Sequence, residues 1–123
     1  MNLQFRQAAA SAIAALAVFS SAAAAADAAR GKQLYETRCI ACHSIDANRV
    51  GPAHKGVFGR KAGGVKDYDY SPAVKVSRIV WNARTLDRWL ADPGKLIPGT
   101  KMGYSVPEAK DRADLIEYLK TAR

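Results

Sequence analysis

Apolar residues recur at helical spacing in only a few short stretches of this chain. Gly31, Tyr35 and Cys39 stand at i, i+4 and i+8, which predicts a first helix over residues 27–37. Residues 44–70 are rich in glycine and polar side chains and show neither helical nor strand periodicity. We therefore expect a long, ordered loop after the first helix.

Three further segments carry the features of short helices. A serine followed by a proline fits an N-cap and a first helical position, which predicts a short helix over residues 71–77. Asn82 can cap a helix that must stop before Pro93, and the last helix is expected over residues 107–121. Residues 93–107 are expected to be loop. The pattern predicts an all-α domain without a sheet or an internal repeat.

The first 26 residues have the order of a secretory signal. Arg6 lies in a short polar start, an apolar run covers residues 8–19, and small residues lead to Ala26. We expect cleavage after Ala26, which leaves residues 27–123 as one exported domain. The expected location is the periplasm.

A membrane anchor is the alternative for the same stretch, since only serines interrupt the apolar and alanine residues at 8–26. Its strongly apolar side chains form a block too short to span about 30 Å of hydrocarbon. Nothing later in the chain has the pattern of a transmembrane segment. We therefore favour cleavage and a soluble product.

The charge of the chain does not by itself identify a partner, because an ordinary solvated surface would also account for it. The formal charge is +8, and because Arg6 is the only charged residue of the leader, the domain keeps +7, one less. A basic domain can bind nucleic acid, an anionic membrane surface or an acidic protein. Export argues against nucleic acid, and the basic residues are scattered along the chain rather than gathered in one block.

Few helices, long loops and a small core together indicate a missing component. Loops of this length are unusual in a compact domain unless another group organises them. A domain of this size also buries a modest core. A large apolar cofactor at the centre accounts for both features.

The stretch CIACH predicts which cofactor this is. On a helical turn the side chains of Cys39, Cys42 and His43 project from the same side. The thiols can add to the vinyl groups of a haem while the imidazole coordinates its iron, and C-x-x-C-H is the sequence feature of c-type haem attachment.

Other uses of a cysteine pair fit this stretch less well. A thioredoxin-like redox pair requires a preceding strand, which the pattern does not predict. A zinc site would need a fourth ligand in a closed tetrahedron, and the chain has no second cysteine pair. A structural disulfide makes no use of the adjacent histidine. The sixth iron ligand comes from few residues: Met102, in the Pro- and Gly-constrained stretch IPGTKMGY, is favoured, and His54 is the alternative.

Five stretches in order resemble the class I cytochrome c family, close to its mitochondrial-like bacterial members: GKQLYETRCIACH, GVFGRKAG, TLDRWLADP, LIPGTKM and RADLIEYL. The resemblance covers essentially all of the domain. It implies a class I cytochrome c fold, with three to five short helices and long loops around one haem c. It also implies covalent attachment through Cys39 and Cys42, with His43 and Met102 as axial ligands.

The resemblance also implies roles around the cofactor. Pro52 is expected to support His43 through its backbone carbonyl, and three residues are expected to bond or neutralise the haem propionates: Arg60, Tyr70 and Trp81. Trp89 is expected beside the Met102 side of the haem. Where the terminal helices cross, the expected contacts join two residues of the first helix to two of the last: Gly31, Tyr35, Leu115 and Tyr118.

Two positions depart from the family pattern. His54 stands where a leucine is usual, and its place after Pro52 puts it on the His43 side of the haem. Val74 replaces a residue that is often polar in the family, near Met102. These departures leave the midpoint potential open.

The implied function is one-electron transfer by a periplasmic carrier, not an enzyme, that shuttles between redox complexes of a respiratory chain. The protein is expected to be a monomer that docks on acidic partner surfaces, of the oxidase, reductase or reaction-centre type, through four cations near the haem edge: Arg38, Lys55, Lys95 and Lys101. The alternatives are an electron-transfer subunit of a periplasmic dehydrogenase, a haem peroxidase and a gas sensor. The electron donor and acceptor stay open.

Overall fold

The structure is a computed structural model that describes residues 17–20 and 24–123. The leader expected at residues 1–26 lies largely outside these ranges. In the described part of the chain, five α-helices are joined by loops, and an isolated antiparallel bridge joins Lys61 to Val80. The all-α fold expected from the sequence is therefore confirmed. Among the helices of the described residues, none has the length and apolar character needed to cross a membrane.

The first helix, α1 (Ala28–Arg38), begins where the sequence provides a capping residue. The Asp27 side chain accepts hydrogen bonds from two backbone N–H groups of the first turn, which the helix itself leaves without partners. The helix ends at Arg38, and the N–H of the next residue, Cys39, donates to the Tyr35 carbonyl. Helix α1 therefore runs directly into CIACH, as the sequence predicts.

The last helix, α5 (Ala109–Thr121), packs across α1 and joins the two ends of the domain. Gly31 faces the backbone of α5, and a Cβ at this position would overlap an α5 carbonyl. The rings of Tyr35 and Tyr118 lie 5.3 Å apart at the same crossing. Leu115 is buried in the same apolar cluster as Tyr35. The crossing implied by the resemblance is thus present.

Gly31→Ala is expected to destabilise the folded protein by about 1–3 kcal/mol, because the helices must separate to admit a methyl group. Denaturant titration of the holoprotein measures this change in the free energy of unfolding. Gly94→Ala is the matched control, since the nearest atom to a Cβ there is a side-chain oxygen at 3.7 Å. Wild-type stability of the Gly31→Ala protein would contradict the tight crossing.

The buried carboxylate of Asp114 ties α5 to the start of α1. It accepts hydrogen bonds from Arg30 Nη1 at 2.6 Å, from Lys110 Nζ at 2.6 Å and from the backbone N of Asp27 at 2.7 Å. Burial alone raises the pKa of this carboxyl, but the three donors outweigh burial and lower the pKa to about 2. The native structure therefore favours the charged form.

This contact gives the stability of the protein a defined pH dependence. Because the folded-state pKa of Asp114 lies below its ordinary value of 3.8, the charge stabilises the fold above that pH. As the pH falls from 3.8 toward 2, the unfolded state binds the proton first and stability is lost. Asp114→Asn is expected to flatten acid denaturation in this window and to lower stability at pH 7 by about 3 kcal/mol.

Acid titrations followed by circular dichroism, with denaturant titrations at pH 7, test this expectation. The control is Asp46→Asn, because the Asp46 side chain is 81% exposed and its nearest cation, Lys55, is 4.0 Å away. An Asp114→Asn protein with the wild-type slope of stability against pH between 2 and 4 would contradict the argument.

Two helices begin at the capping residues that the sequence predicts. In α2 (Pro72–Lys75) the Ser71 hydroxyl accepts a hydrogen bond from a backbone N–H of the first turn. In α3 (Ala83–Ala91) the Asn82 side chain accepts from the N–H of Thr85, and the Thr85 hydroxyl accepts from the N–H of Asn82. This reciprocal pair is a capping box, and it fixes the point where α3 starts.

A one-turn helix, α4 (Pro93–Leu96), lies in a stretch where the sequence analysis expects only loop. Asp92 caps it by accepting a hydrogen bond from the N–H of Lys95 at 3.1 Å, and Pro93 occupies its first position. The expectation of loop is therefore wrong for these four residues. The Asp-Pro pair is the feature that predicts this turn, because aspartate caps helices and proline favours their first position.

The long loop over residues 44–70 contains no helix and is ordered by backbone contacts to the segment before α3. Gly59 has a φ of 91°, a conformation that favours glycine, and its N–H donates to the Trp81 carbonyl at 2.6 Å. The N–H of Trp81 in turn donates to the Arg60 carbonyl at 2.9 Å. These contacts place Arg60 and Trp81 on the wall of a central cavity.

Candidate cofactor site

A largely apolar cavity of about 550 Å³ lies at the centre of the domain. Its volume is within the range of cofactor and ligand pockets in proteins. Helix α1, the long loop, α3, the loop after α4 and α5 all contribute to its wall. The eight residues singled out from the sequence all line it: Cys39, Cys42, His43, Pro52, Arg60, Tyr70, Trp81 and Met102.

A helical turn at the end of α1 holds the CIACH side chains together. The N–H groups of Cys42 and His43 both donate to the Cys39 carbonyl, at 3.1 and 2.8 Å. The two cysteines form no disulfide with each other, and Cys39 is half-buried while Cys42 is exposed. Before haem attachment, burial raises the pKa of the Cys39 thiol to about 11.

The ring of His43 is fixed by the backbone of the following loop. Its Nδ1 lies 2.9 Å from the Pro52 carbonyl oxygen. A carbonyl can only accept, so Nδ1 carries the proton and the lone pair of Nε2 is left for a metal. Burial lowers the pKa of His43, partly offset by this hydrogen bond, and the ring is neutral at pH 7. Neutral imidazole is the form that binds iron.

Gly51 is a site residue that the sequence analysis missed. A Cβ at this position would lie 2.6 Å from both ring nitrogens of His43, so any larger residue would displace the imidazole. The N–H of Gly51 also donates to the Cys42 carbonyl at 2.8 Å. In the sequence, only the GP dipeptide at residues 51–52 points to this role. The contact of Gly51 with His43 is visible only in the folded loop.

Arg60 presents a buried donor that the protein leaves without a partner. Its Nη1 and Nη2 donate to the carbonyls of Lys55 and Ala53 at 2.9 and 3.0 Å, while Nε is buried and unbonded within the described structure. Burial lowers the pKa of this guanidinium. A half-buried guanidinium whose buried N–H has no partner favours an anion at the cavity wall, and a haem propionate has the required charge.

The aromatic residues near Arg60 are held in defined positions. The Tyr70 oxygen accepts a hydrogen bond from the N–H of Val65 at 3.1 Å, which leaves its own O–H able to donate. Trp81 is buried, and its ring lies 5.2 Å from that of Trp89 in a tilted arrangement. Together with Arg60, these side chains supply donors and apolar surface that suit a large planar group carrying carboxylates.

Met102 lies in the loop between α4 and α5 and is partly buried against the cavity. Its N–H donates to Thr100 Oγ1 at 3.3 Å. The preceding Lys101 donates through Nζ to the Asp69 carbonyl at 3.0 Å and lies 3.5 Å from the Asp69 carboxylate. These contacts tie the Met102 loop to the long loop across the cavity mouth.

His54 also lines the cavity, on the same side as His43, as the resemblance implies. Its ring stacks on that of His43, with centroids 4.0 Å apart and planes at 20°. Burial, together with the nearby His43 and Arg60, lowers the pKa of His54 to about 3, so it is neutral at pH 7. Val74, the second departure from the family pattern, is buried in the cavity wall.

The four cations expected at the docking face differ in their surroundings. Arg38 and Lys101 line the cavity, and each is already paired with an acid: Arg38 Nη2 lies 3.1 Å from the Asp111 carboxylate. Lys55 and Lys95 are exposed and do not line the cavity. Lys95 makes no ion pair among the described residues, and Lys55 makes only a long, exposed contact of 4.0 Å with Asp46.

Comparisons with known proteins agree with this geometry. The family described as Cytochrome c matches residues 28–123. A cytochrome c of Gibberella zeae is 46% identical over 101 residues, which covers 79% of this chain and 95% of that protein. One of Euglena viridis is 46% identical over 100 residues, with 79% and 98% covered. The solved structure of cytochrome cH from Methylobacterium extorquens is 46% identical, with a TM-score of 0.74 and 77% and 98% covered.

The chain belongs to the cytochrome c family. Its fold is that of the class I cytochromes c, and its cofactor is a covalently bound haem c with iron, attached through Cys39 and Cys42. The family consists of electron carriers. Haem chemistry, rather than zinc or a disulfide, is therefore the use of CIACH in this chain.

Proposed function

We propose that this protein is a periplasmic one-electron carrier, not an enzyme, in which His43 and Met102 are the axial ligands of the haem iron. One observation carries the proposal: both side chains line the same cavity, and the Pro52 carbonyl holds the His43 ring in the tautomer whose Nε2 can coordinate a metal. When bound, the haem supplies the one-electron Fe(III)/Fe(II) couple.

The remaining residues tune and protect that couple. The Met102 thioether is a soft ligand that favours the ferrous state, and the apolar wall of the cavity acts in the same direction. Arg60, through its unbonded Nε, would bind and neutralise a propionate, and the Tyr70 hydroxyl would donate a hydrogen bond to one. The described residues that line the cavity include no carboxylate, and their two histidines, His43 and His54, stack on each other, so the lining offers Met102 no acid–base pair of the kind that a peroxidase requires.

Redox titration of the purified holoprotein tests the carrier function. We expect a reversible one-electron couple, and no carbon monoxide binding by the reduced protein at neutral pH, because Met102 occupies the sixth position. Carbon monoxide binding to the native reduced protein would instead support a gas sensor. Stable co-purification with a dehydrogenase would instead support the subunit alternative.

We also propose that the partner docks at the basic face near the haem edge. Its electron-transfer rate with an acidic redox protein is expected to fall roughly tenfold between low salt and about 0.2 M salt. Lys55→Gln and Lys95→Gln are expected to lower the rate at low salt and to weaken its salt dependence. Lys32→Gln, an exposed change on α1, is the control. Rates that do not depend on ionic strength would contradict this docking mode.

We propose that the leader is removed after Ala26. The backbone N of Asp27 lies 2.7 Å from Oδ1 of the buried Asp114, so cleavage there would place the new α-ammonium group against a carboxylate. A charged donor makes a stronger hydrogen bond than the amide it replaces. The intact mass of the exported holoprotein is expected to equal residues 27–123 plus one haem. A mass that includes the leader would support the membrane anchor instead.

A further inference from the structure

A hydrogen-bonded tyrosine–histidine pair lies behind the haem-ligating histidine. Tyr35, on α1, is 3% exposed, and its hydroxyl lies 2.9 Å from Nδ1 of His54 in the long loop. The backbone N–H of His54 donates to the Ser44 carbonyl at 3.0 Å, which anchors the loop near CIACH. A phenol in an apolar core is destabilising unless its hydroxyl is bonded, so the two side chains form one unit.

The Tyr35–His54 pair restrains rotation of the His43 ring, which the hydrogen bond from His43 to Pro52 leaves largely free. The Pro52 carbonyl holds Nδ1 of His43 at 2.9 Å, but carbonyl oxygens accept hydrogen bonds over a broad range of directions. The His54 ring covers one face of the His43 ring, with the ring centroids 4.0 Å apart and the ring planes at 20°. A stacked ring resists rotation of the imidazole. Gly51 lies against the ring atoms of His43 and limits the same rotation.

We propose that His54, held by Tyr35, is a positioning residue that fixes the rotation of the His43 ring and so tunes the haem midpoint potential. The inference rests on the proposed ligation of iron by His43. Groups that hydrogen-bond to a ligating imidazole or pack against it alter both its geometry and its basicity as a ligand. A polar ring next to this ligand also stabilises the more highly charged ferric state relative to an aliphatic side chain.

The variants separate positioning from simple packing. His54→Leu removes the stacked ring and leaves the Tyr35 hydroxyl unpaired, so it is expected to lose stability. The double variant Tyr35→Phe/His54→Leu removes both polar groups together and is expected to recover part of that stability. Tyr35→Phe alone removes the hydroxyl oxygen and keeps the stacked His54 ring, and this variant is expected to fold.

Two readouts are measured on each purified holoprotein: the paramagnetically shifted haem methyl resonances of the oxidised form, and the midpoint potential at pH 7. The double variant is expected to show a changed pattern of methyl shifts and an equilibrium constant for reduction about threefold higher than wild type. Tyr35→Phe is expected to move both readouts in the same direction, by less. Tyr118→Phe, which alters a phenol packed on Tyr35, is the matched control and is expected to move neither.

Wild-type methyl shifts and potential in both the double variant and Tyr35→Phe would overturn the inference. That result leaves the carrier function standing, because it concerns His54 and Tyr35 alone. Failure of the proposed function would show in a different protein, the wild type, as an iron that lacks its histidine or methionine ligand. A change in the methyl shifts of the double variant without a change in Tyr118→Phe supports the positioning role.

Discussion

Met102→Ala is expected to leave a folded, haem-containing protein whose ferrous form binds carbon monoxide at neutral pH. The substitution removes the thioether that occupies the sixth position of the iron, and alanine cannot replace it. Loss of a soft ligand also disfavours the ferrous state, so the equilibrium constant for reduction is expected to fall on the order of a hundredfold. Optical titration with carbon monoxide and potentiometric titration measure the two effects.

Met102→His is the matched comparison, because imidazole can fill the position with a harder donor atom. We expect that variant to keep six ligands and bind no carbon monoxide, yet to retain a lowered potential. If Met102→Ala kept the wild-type potential and stayed closed to carbon monoxide, Met102 would not be the ligand.

Replacing both Cys39 and Cys42 by alanine is expected to abolish covalent haem attachment completely. The two thiols are the only cysteines of the chain, and both lie at the cavity wall beside His43. Each single variant is expected to keep one thioether bond. Denaturing gel electrophoresis followed by haem staining, together with intact mass, measures the attachment.

Ser44→Ala, one residue beyond CIACH, is the control for this experiment and is expected to keep full attachment. Haem that remained bound to the double cysteine variant under denaturing conditions would contradict attachment through these thiols. Loss of all covalently bound haem from both single variants would contradict one thioether bond per cysteine as well.

Capping residues predict α2 and α3, whereas the helical spacing of apolar residues predicts α1. Asp27, Ser71 and Asn82 each bond backbone N–H groups of the turn that follows, and a cap depends only on nearby residues. Helix α4 was missed because four residues are too few to show a 3.6-residue period. The Asp-Pro pair at residues 92–93 nevertheless indicates the helix cap at Asp92.

Some features of the site can be predicted from neighbouring residues in the sequence, and others depend on the fold. The spacing within CIACH is local, so the cofactor followed from five consecutive residues. The unbonded Nε of Arg60 and the contact of Gly51 with His43 depend on how the long loop folds over the cavity. No periodicity in residues 44–70 encodes that path, and only the resemblance placed Arg60 at the site.

The Tyr35–His54 contact shows why such details escape a sequence. Tyr35 has the spacing of a buried helix position, and His54 stands in a polar loop where a surface location is the simplest expectation. Their hydrogen bond joins residues from two elements that meet only in the folded domain. The sequence predicted the side of the haem on which His54 lies, but not its bonding partner.

The optical spectrum of the oxidised holoprotein tests the central claim most directly. The account predicts the weak, long-wavelength absorption band of ferric haem iron bonded to thioether sulfur, present in wild type and absent in Met102→Ala. A wild-type spectrum without this band, or one typical of a vacant sixth position, would contradict iron ligation by His43 and Met102.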